Sequence, residues 1–121
     1  MILVKNTTIK ETYRKPHILN QKEYKKVSEY IKETVKNWIE DSDTFTVRDL
    51  FGYQNADWRL TPLQIIYDNY LIKYKNNEEM AYIQSGIALG HIVKCVVNEL
   101  SEKFYIERDI ERDTIHYYFV K

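Results

Sequence analysis

Residues 81–120 read AYIQSGIALG HIVKCVVNEL SEKFYIERDI ERDTIHYYFV. Two periodicities meet in this stretch. At 100° per residue, Leu89, Ile92, Val93, Val96, Val97 and Leu100 share one side of a helix. Gln84, Ile87, His91, Lys94 and Asn98 fall on the other side. The pattern predicts a helix from about Met80 to Leu100. The period then drops to two. Phe104, Ile106, Ile115, Tyr117 and Phe119 alternate onto one side of a β-hairpin. Its tip is the near-repeat Glu107-Arg108-Asp109-Ile110-Glu111-Arg112-Asp113. A long helix that runs straight into a C-terminal ribbon organises everything upstream.

Working back along the chain, Thr61-Pro62 combines a capping hydroxyl with a proline suited to a first helical turn. Leu63, Ile66, Tyr67, Tyr70, Leu71 and Tyr74 continue that helix to about Lys75, where Asn76-Asn77 breaks it. Tyr53 to Trp58 reads as a loop. Phe45-Thr46-Val47 is long enough for one small strand, and Thr44 or Thr46 caps a short helix through Arg48-Asp49-Leu50-Phe51 that Gly52 stops. Asn20-Gln21-Lys22-Glu23 forms a capping-box variant. It opens a helix over residues 21–40, with Tyr24, Val27, Ile31, Val35 and Trp38 at helical spacing. Ile2-Leu3-Val4 suits a short strand; Pro16 opposes a helix through the rest of residues 1–19. The expected class is α+β: a mainly helical domain of about four helices ending in a C-terminal β-hairpin. Residues 1–121 form one domain, with residues 1–19 as a basic N-terminal arm.

A chain of 121 residues buries roughly two-thirds of its unfolded surface, enough for a core without cross-links. Its 44% hydrophobic and 30% charged residues match a globular protein. The single cysteine, Cys95, excludes an internal disulfide and fits a reducing compartment. No apolar run approaches the ~20 residues that a membrane span needs. The first residues carry neither an adequate apolar stretch nor a cleavage site for secretion. The expected location is the cytoplasm.

Net charge is zero, but it is unevenly spread. Residues 1–40 carry nine Lys/Arg against five Glu; residues 41–121 carry nine against thirteen Asp/Glu. A basic segment on an acidic body suits phosphates or an acidic partner; a merely solvated helix face is the competing reading. Eleven tyrosines suit interfaces and base stacking, and equally suit strands and core edges.

The heptapeptide Phe45-Thr46-Val47-Arg48-Asp49-Leu50-Phe51 resembles the F-x-V-x-D-L-F pattern of small winged-helix proteins of Gram-positive phages and mobile elements. In that family a tryptophan follows, here Trp58. A helix carrying L-G-x-x and an apolar residue comes next, here Leu89-Gly90-His91-Ile92-Val93, and then a β-ribbon, here Phe104 to Val120. The helix over about 61–75 is a departure from the pattern. The resemblance implies a winged-helix domain whose hairpin is the wing, and DNA binding, single- or double-stranded, in replication or transcription control.

On that reading the candidate nucleic-acid-binding residues are Gln84, His91, Lys94 and Asn98 of the last helix, Lys22, Lys25 and Lys26 of the first, and Arg108 and Arg112 of the tip. Gln and Asn can pair with adenine and Lys with guanine or phosphate. An ordinary polar outer face is the competing reading for the last helix. Ile87, in the middle of that stripe, would meet a thymine methyl or a partner. The tip holds four acids and two arginines, so it makes a poor phosphate clamp. Ion pairing within the tip, or a basic protein surface against it, fits better. Lys5, Lys10, Arg14 and Lys15 of the arm, with Tyr13 nearby, could supply phosphate and stacking contacts that the wing lacks. Gly86 and Gly90 each cost ~1 kcal/mol in a helix interior, which points to a close backbone approach, with tight packing inside the monomer preferred.

His17, His91, His116 and Cys95 have no metal-ligand spacing, no glycine-rich phosphate loop is present, and no nucleophile–base pair stands out. Cys95 reads as a buried structural thiol. The chain is therefore expected to be non-enzymatic and to need no cofactor or metal. The alternative function is a protein–protein interaction module that binds a host or element-encoded protein through its acidic surface. A protein partner and a homodimer both stay open beside DNA.

Overall fold

The described residues form four helices and four short strands. The computed structural model describes residues 2–4, 17–52, 58–100, 103–109, 111 and 114–120. The elements run β1 (Ile2–Val4), α1 (Gln21–Asp41), β2 (Thr44–Phe45), α2 (Val47–Phe51), α3 (Gln64–Lys73), α4 (Glu78–Glu99), β3 (Lys103–Asp109) and β4 (Thr114–Val120). The class is α+β and mostly helical, with one antiparallel sheet of strand order β1-β3-β4-β2. The arm residues 5–16 lie outside the described residues.

Local chemistry sets most element ends. The Asn20 side chain accepts from the Glu23 N–H at 2.8 Å, and Glu23 accepts from the Asn20 N–H at 3.0 Å. This reciprocal box satisfies two backbone donors that the first turn of α1 leaves without partners. A second box opens α2, with Thr46 capping Asp49 and Asp49 accepting from the Thr46 N–H. Gly52 ends α2 at φ 84°, a backbone region that suits glycine. Asn77 caps α4 by accepting from the Met80 N–H.

The start of α3 differs from the expectation at Thr61-Pro62. The Thr61 hydroxyl donates to the Trp58 carbonyl at 2.7 Å and accepts from the Leu63 N–H at 3.2 Å. That oxygen serves a local turn, so regular helix begins three residues later, at Gln64. β2 also lies one residue earlier than expected, because Thr46 is committed to the cap.

The core collects Val27, Ile31, Val35 and Ile39 of α1, Phe45, Leu63, Ile66, and Leu89, Ile92, Val93, Val96 and Val97 of α4. The hairpin closes it with Phe104, Ile106 and Tyr117. In the register Phe104 faces Phe119 and Ile106 faces Tyr117. A directly opposed pair shares one side of the sheet, so the alternation read from the sequence is the core face. Phe45 stacks on Tyr117 with ring centroids 5.0 Å apart and meets Phe104 edge-on at 6.0 Å. This aromatic group locks the two-residue β2 onto the ribbon.

α4 spans 22 residues, and between Glu79 and Glu99 Lys94 is its one charged residue among Asp, Glu, Lys and Arg. By length and composition it is apolar enough to cross a membrane, in contrast to the expectation that no segment approaches that length. Half of its most apolar window is buried inside the domain. That is the position of a central core helix, which packs on α1, α2 and α3.

Candidate nucleic-acid interface

The net positive charge of α1 is confined to its opening turns. Lys22, Lys25 and Lys26 are all exposed, with Glu23 as the one acid between Gln21 and Ser28. From Glu29 to Asp41, Lys32 and Lys36 meet four acids. Glu23 caps the helix and also accepts from Asn69 Nδ2 of α3 at 3.2 Å. The same amide donates to the Ile18 carbonyl at 3.0 Å. The three lysines therefore project from a helix end pinned to α3 rather than from a fraying terminus.

Lys25 and Lys32 stand seven residues apart, two turns along one edge of α1. Lys32 Nζ pairs with Glu99 of α4 at 3.2 Å. Both partners are more than a third exposed, so the pair marks position more than it adds stability. It places this lysine edge beside the C-terminal end of α4. Asn98 is exposed there, while His91 and Lys94 are half-buried. His91 and Asn98 both interact with other groups of the chain. Gln84 is also half-buried, two turns toward the other end of α4.

The candidate stripe on α4 is thus not continuously polar. Tyr82, Ile83 and Ile87 are 43%, 44% and 52% exposed and occupy its N-terminal half. Ile87 was singled out from the sequence; Tyr82 and Ile83 were not. The available signal was that α4 carries large apolar residues beyond the stripe its core contact needs. Gly86 and Gly90 flank the same exposed residues, and a Cβ at either would meet nothing within 4 Å. Tight packing inside the monomer, the expected reason for these glycines, is therefore corrected: their surroundings are open.

At the hairpin, the register sets Arg108 across from Ile115 on β4 and Ile2 on β1. Arg112, Asp113 and the arm cations Lys5, Lys10, Arg14 and Lys15 lie outside the described residues. Glu107 accepts a hydrogen bond from the Tyr118 hydroxyl; that bond, then burial and the carboxylate charge, raises the pKa of Tyr118. Glu107 is thus engaged across the strand pair by a tyrosine.

Cys95 is buried on α4. The Tyr24 hydroxyl lies against it, and burial is the first cause of a raised Tyr24 pKa, followed by the charges of Cys95 and Glu99. Tyr70 is shifted the same way, by burial and then by Tyr74. The ordinary tyrosine value is 10.0. A folded value above it keeps a proton that the unfolded chain has lost, so stability is complete below that pH and falls as pH rises toward the folded value. In urea titrations the midpoint should hold to pH ~10 and then decline. Tyr24→Phe should show a smaller alkaline decline than the parent chain; an equal decline would remove Tyr24 as a contributor.

Among the described residues, no three His, Cys, Asp or Glu side chains converge as a metal site. The site is a surface, made of exposed cations on α1 and a mixed polar and apolar face on α4. Comparison with protein-family models, with curated proteins and with solved structures finds no match to this chain.

Proposed function

We propose that this chain is a non-enzymatic, cytoplasmic winged-helix protein of a phage or mobile element that binds DNA in replication or transcription control. The strand order carries the reading. In a winged helix, the short strand after the first helix pairs with the second wing strand, and the recognition helix leads into the first. Here β2 follows α1 and pairs with β4, with Thr44 opposite Tyr118 and Phe45 opposite Tyr117. α4 leads into β3, and β3 pairs with β4. Two additions surround that plan: β1 on the outer edge of β3, and α3 between α2 and α4.

Lys22, Lys25 and Lys26 supply the phosphate contacts, and Asn98 and His91 at the adjoining end of α4 add polar contacts. Lys94 stands between this region and the apolar half of α4. Three neutralised phosphates give a slope of about −2.7 in log K against log salt on duplex DNA. Raising salt from ~50 to ~200 mM should then weaken binding about 40-fold. Fluorescence anisotropy with single- and double-stranded oligonucleotides measures this. Absence of binding to both forms at the lower salt would reject the proposal.

A protein-interaction module is the second reading, and the exposed Tyr82, Ile83 and Ile87 favour it over catalysis or small-molecule binding. A partner held by this apolar face would bind with little dependence on salt.

A further inference from the structure

The exposed face of α4 is self-complementary, and we infer that it pairs antiparallel with the α4 of a second copy of this chain. The inference is independent of nucleic-acid binding. Glu79, Ile83, Gly86, Ile87, Gly90 and Lys94 recur at three- and four-residue spacing, the stripe that one straight helix can present to another. Ile83 and Ile87 are about half exposed, and nothing stands over the glycines. A helix in water with two internal glycines forfeits stability relative to alanine. A surface that places those glycines beside exposed isoleucines recovers it only when another helix packs there.

The order of residues selects both the occupant and its direction. Consider a two-fold axis across α4 between Gly86 and Ile87. It sets Ile83 of each copy against the second copy's Gly90 and brings the two Ile87 side chains together at the axis. Ile83 therefore meets a glycine, a knob facing a gap, and the match occurs twice by symmetry. At the rim, Glu79 faces the second copy's Lys94, so opposite charges meet at both ends. A parallel pairing would instead oppose Glu79 to Glu79 and Lys94 to Lys94. Charge and shape both favour the antiparallel second copy over an unrelated helix. The pairing also assigns Lys94 to the interface and leaves the α1 lysines uncovered.

One helix pair falls short of the ~1,200 Å² that stable complexes bury, so the dimer is weak, with a dissociation constant of roughly tens of micromolar. Sedimentation equilibrium from ~5 to ~500 μM spans that range. The parent chain should shift from monomer to dimer. Ile87→Glu, at an exposed position, should stay monomeric with an unchanged circular dichroism spectrum. Gly90→Leu should also fold and fail to pair. Glu79→Lys and Lys94→Glu should each weaken pairing about five- to tenfold. The double reversal Glu79→Lys/Lys94→Glu should restore it, and so should mixing the two single variants. A monomer throughout the parent titration overturns the inference. So does a dimer that Ile87→Glu leaves intact, or one whose affinity does not respond to the single charge reversals.

Discussion

Phe45→Ala should lose about 3–5 kcal/mol of folding stability. Phe45 is fully buried and is one of only two residues in β2. Its ring stacks on Tyr117 and meets Phe104 edge-on, so truncation removes contacts to both hairpin strands at once. The strand has no second aromatic anchor, because Thr44 is exposed. Domains of this size are stable by about 5–15 kcal/mol, so the loss would consume a large share of the total. Urea unfolding followed by circular dichroism measures it. Phe119→Ala, at a half-buried position on the same sheet face, should cost clearly less. Equal losses at the two sites would show that β2 is not held by the Phe45 ring.

The second large effect concerns the ligand. Lys22→Gln/Lys25→Gln/Lys26→Gln should remove about 2.7 from the salt slope of duplex binding, leaving an interaction nearly indifferent to salt. All three side chains are exposed, so the unfolding midpoint should stay within about 0.5 kcal/mol of the parent. Lys36→Gln, in the acidic half of α1, serves as the control and should leave the slope unchanged. A triple variant that keeps the parental slope would place the phosphate contacts elsewhere. An oligonucleotide that binds the parent but not the triple variant, without any salt dependence in the parent, would count against phosphate contacts altogether.

Much of the helical architecture was legible because helix ends are local chemistry. Asn20 and Glu23 sit three residues apart, and that spacing alone suffices for a reciprocal cap. The same holds for Thr46 and Asp49. Thr61-Pro62 misplaced a helix start by three residues for an equally physical reason. A threonine oxygen can cap a helix or tie a turn, and the partner that decides, the Trp58 carbonyl, depends on how the preceding loop runs. The hairpin was legible because alternation at Phe104, Ile106, Tyr117 and Phe119 has one meaning in a ribbon with a single buried face.

Of the candidate surface, Lys22, Lys25 and Lys26 lie on an exposed face, since a lysine between apolar positions of an amphipathic helix points outward. The α4 stripe was less legible. Apolar residues occur nearly all round that helix, so periodicity marks the most apolar side without saying how much of the rest is covered. Gly86 and Gly90 show the same ambiguity: a glycine pair signals close approach and is silent about what approaches.

The sequence by itself determined the helices and the hairpin, the caps of α1 and α2, the core stripe of α4 and the inward face of the hairpin, because these depend on contacts within a few residues along the chain. Only the tertiary structure decided the strand order β1-β3-β4-β2, the docking of Phe45 between Phe104 and Tyr117, and the exposure of Tyr82, Ile83 and Ile87. Those depend on which distant segments pack together. Burial is a property of the whole assembly of elements, and no local spacing encodes it.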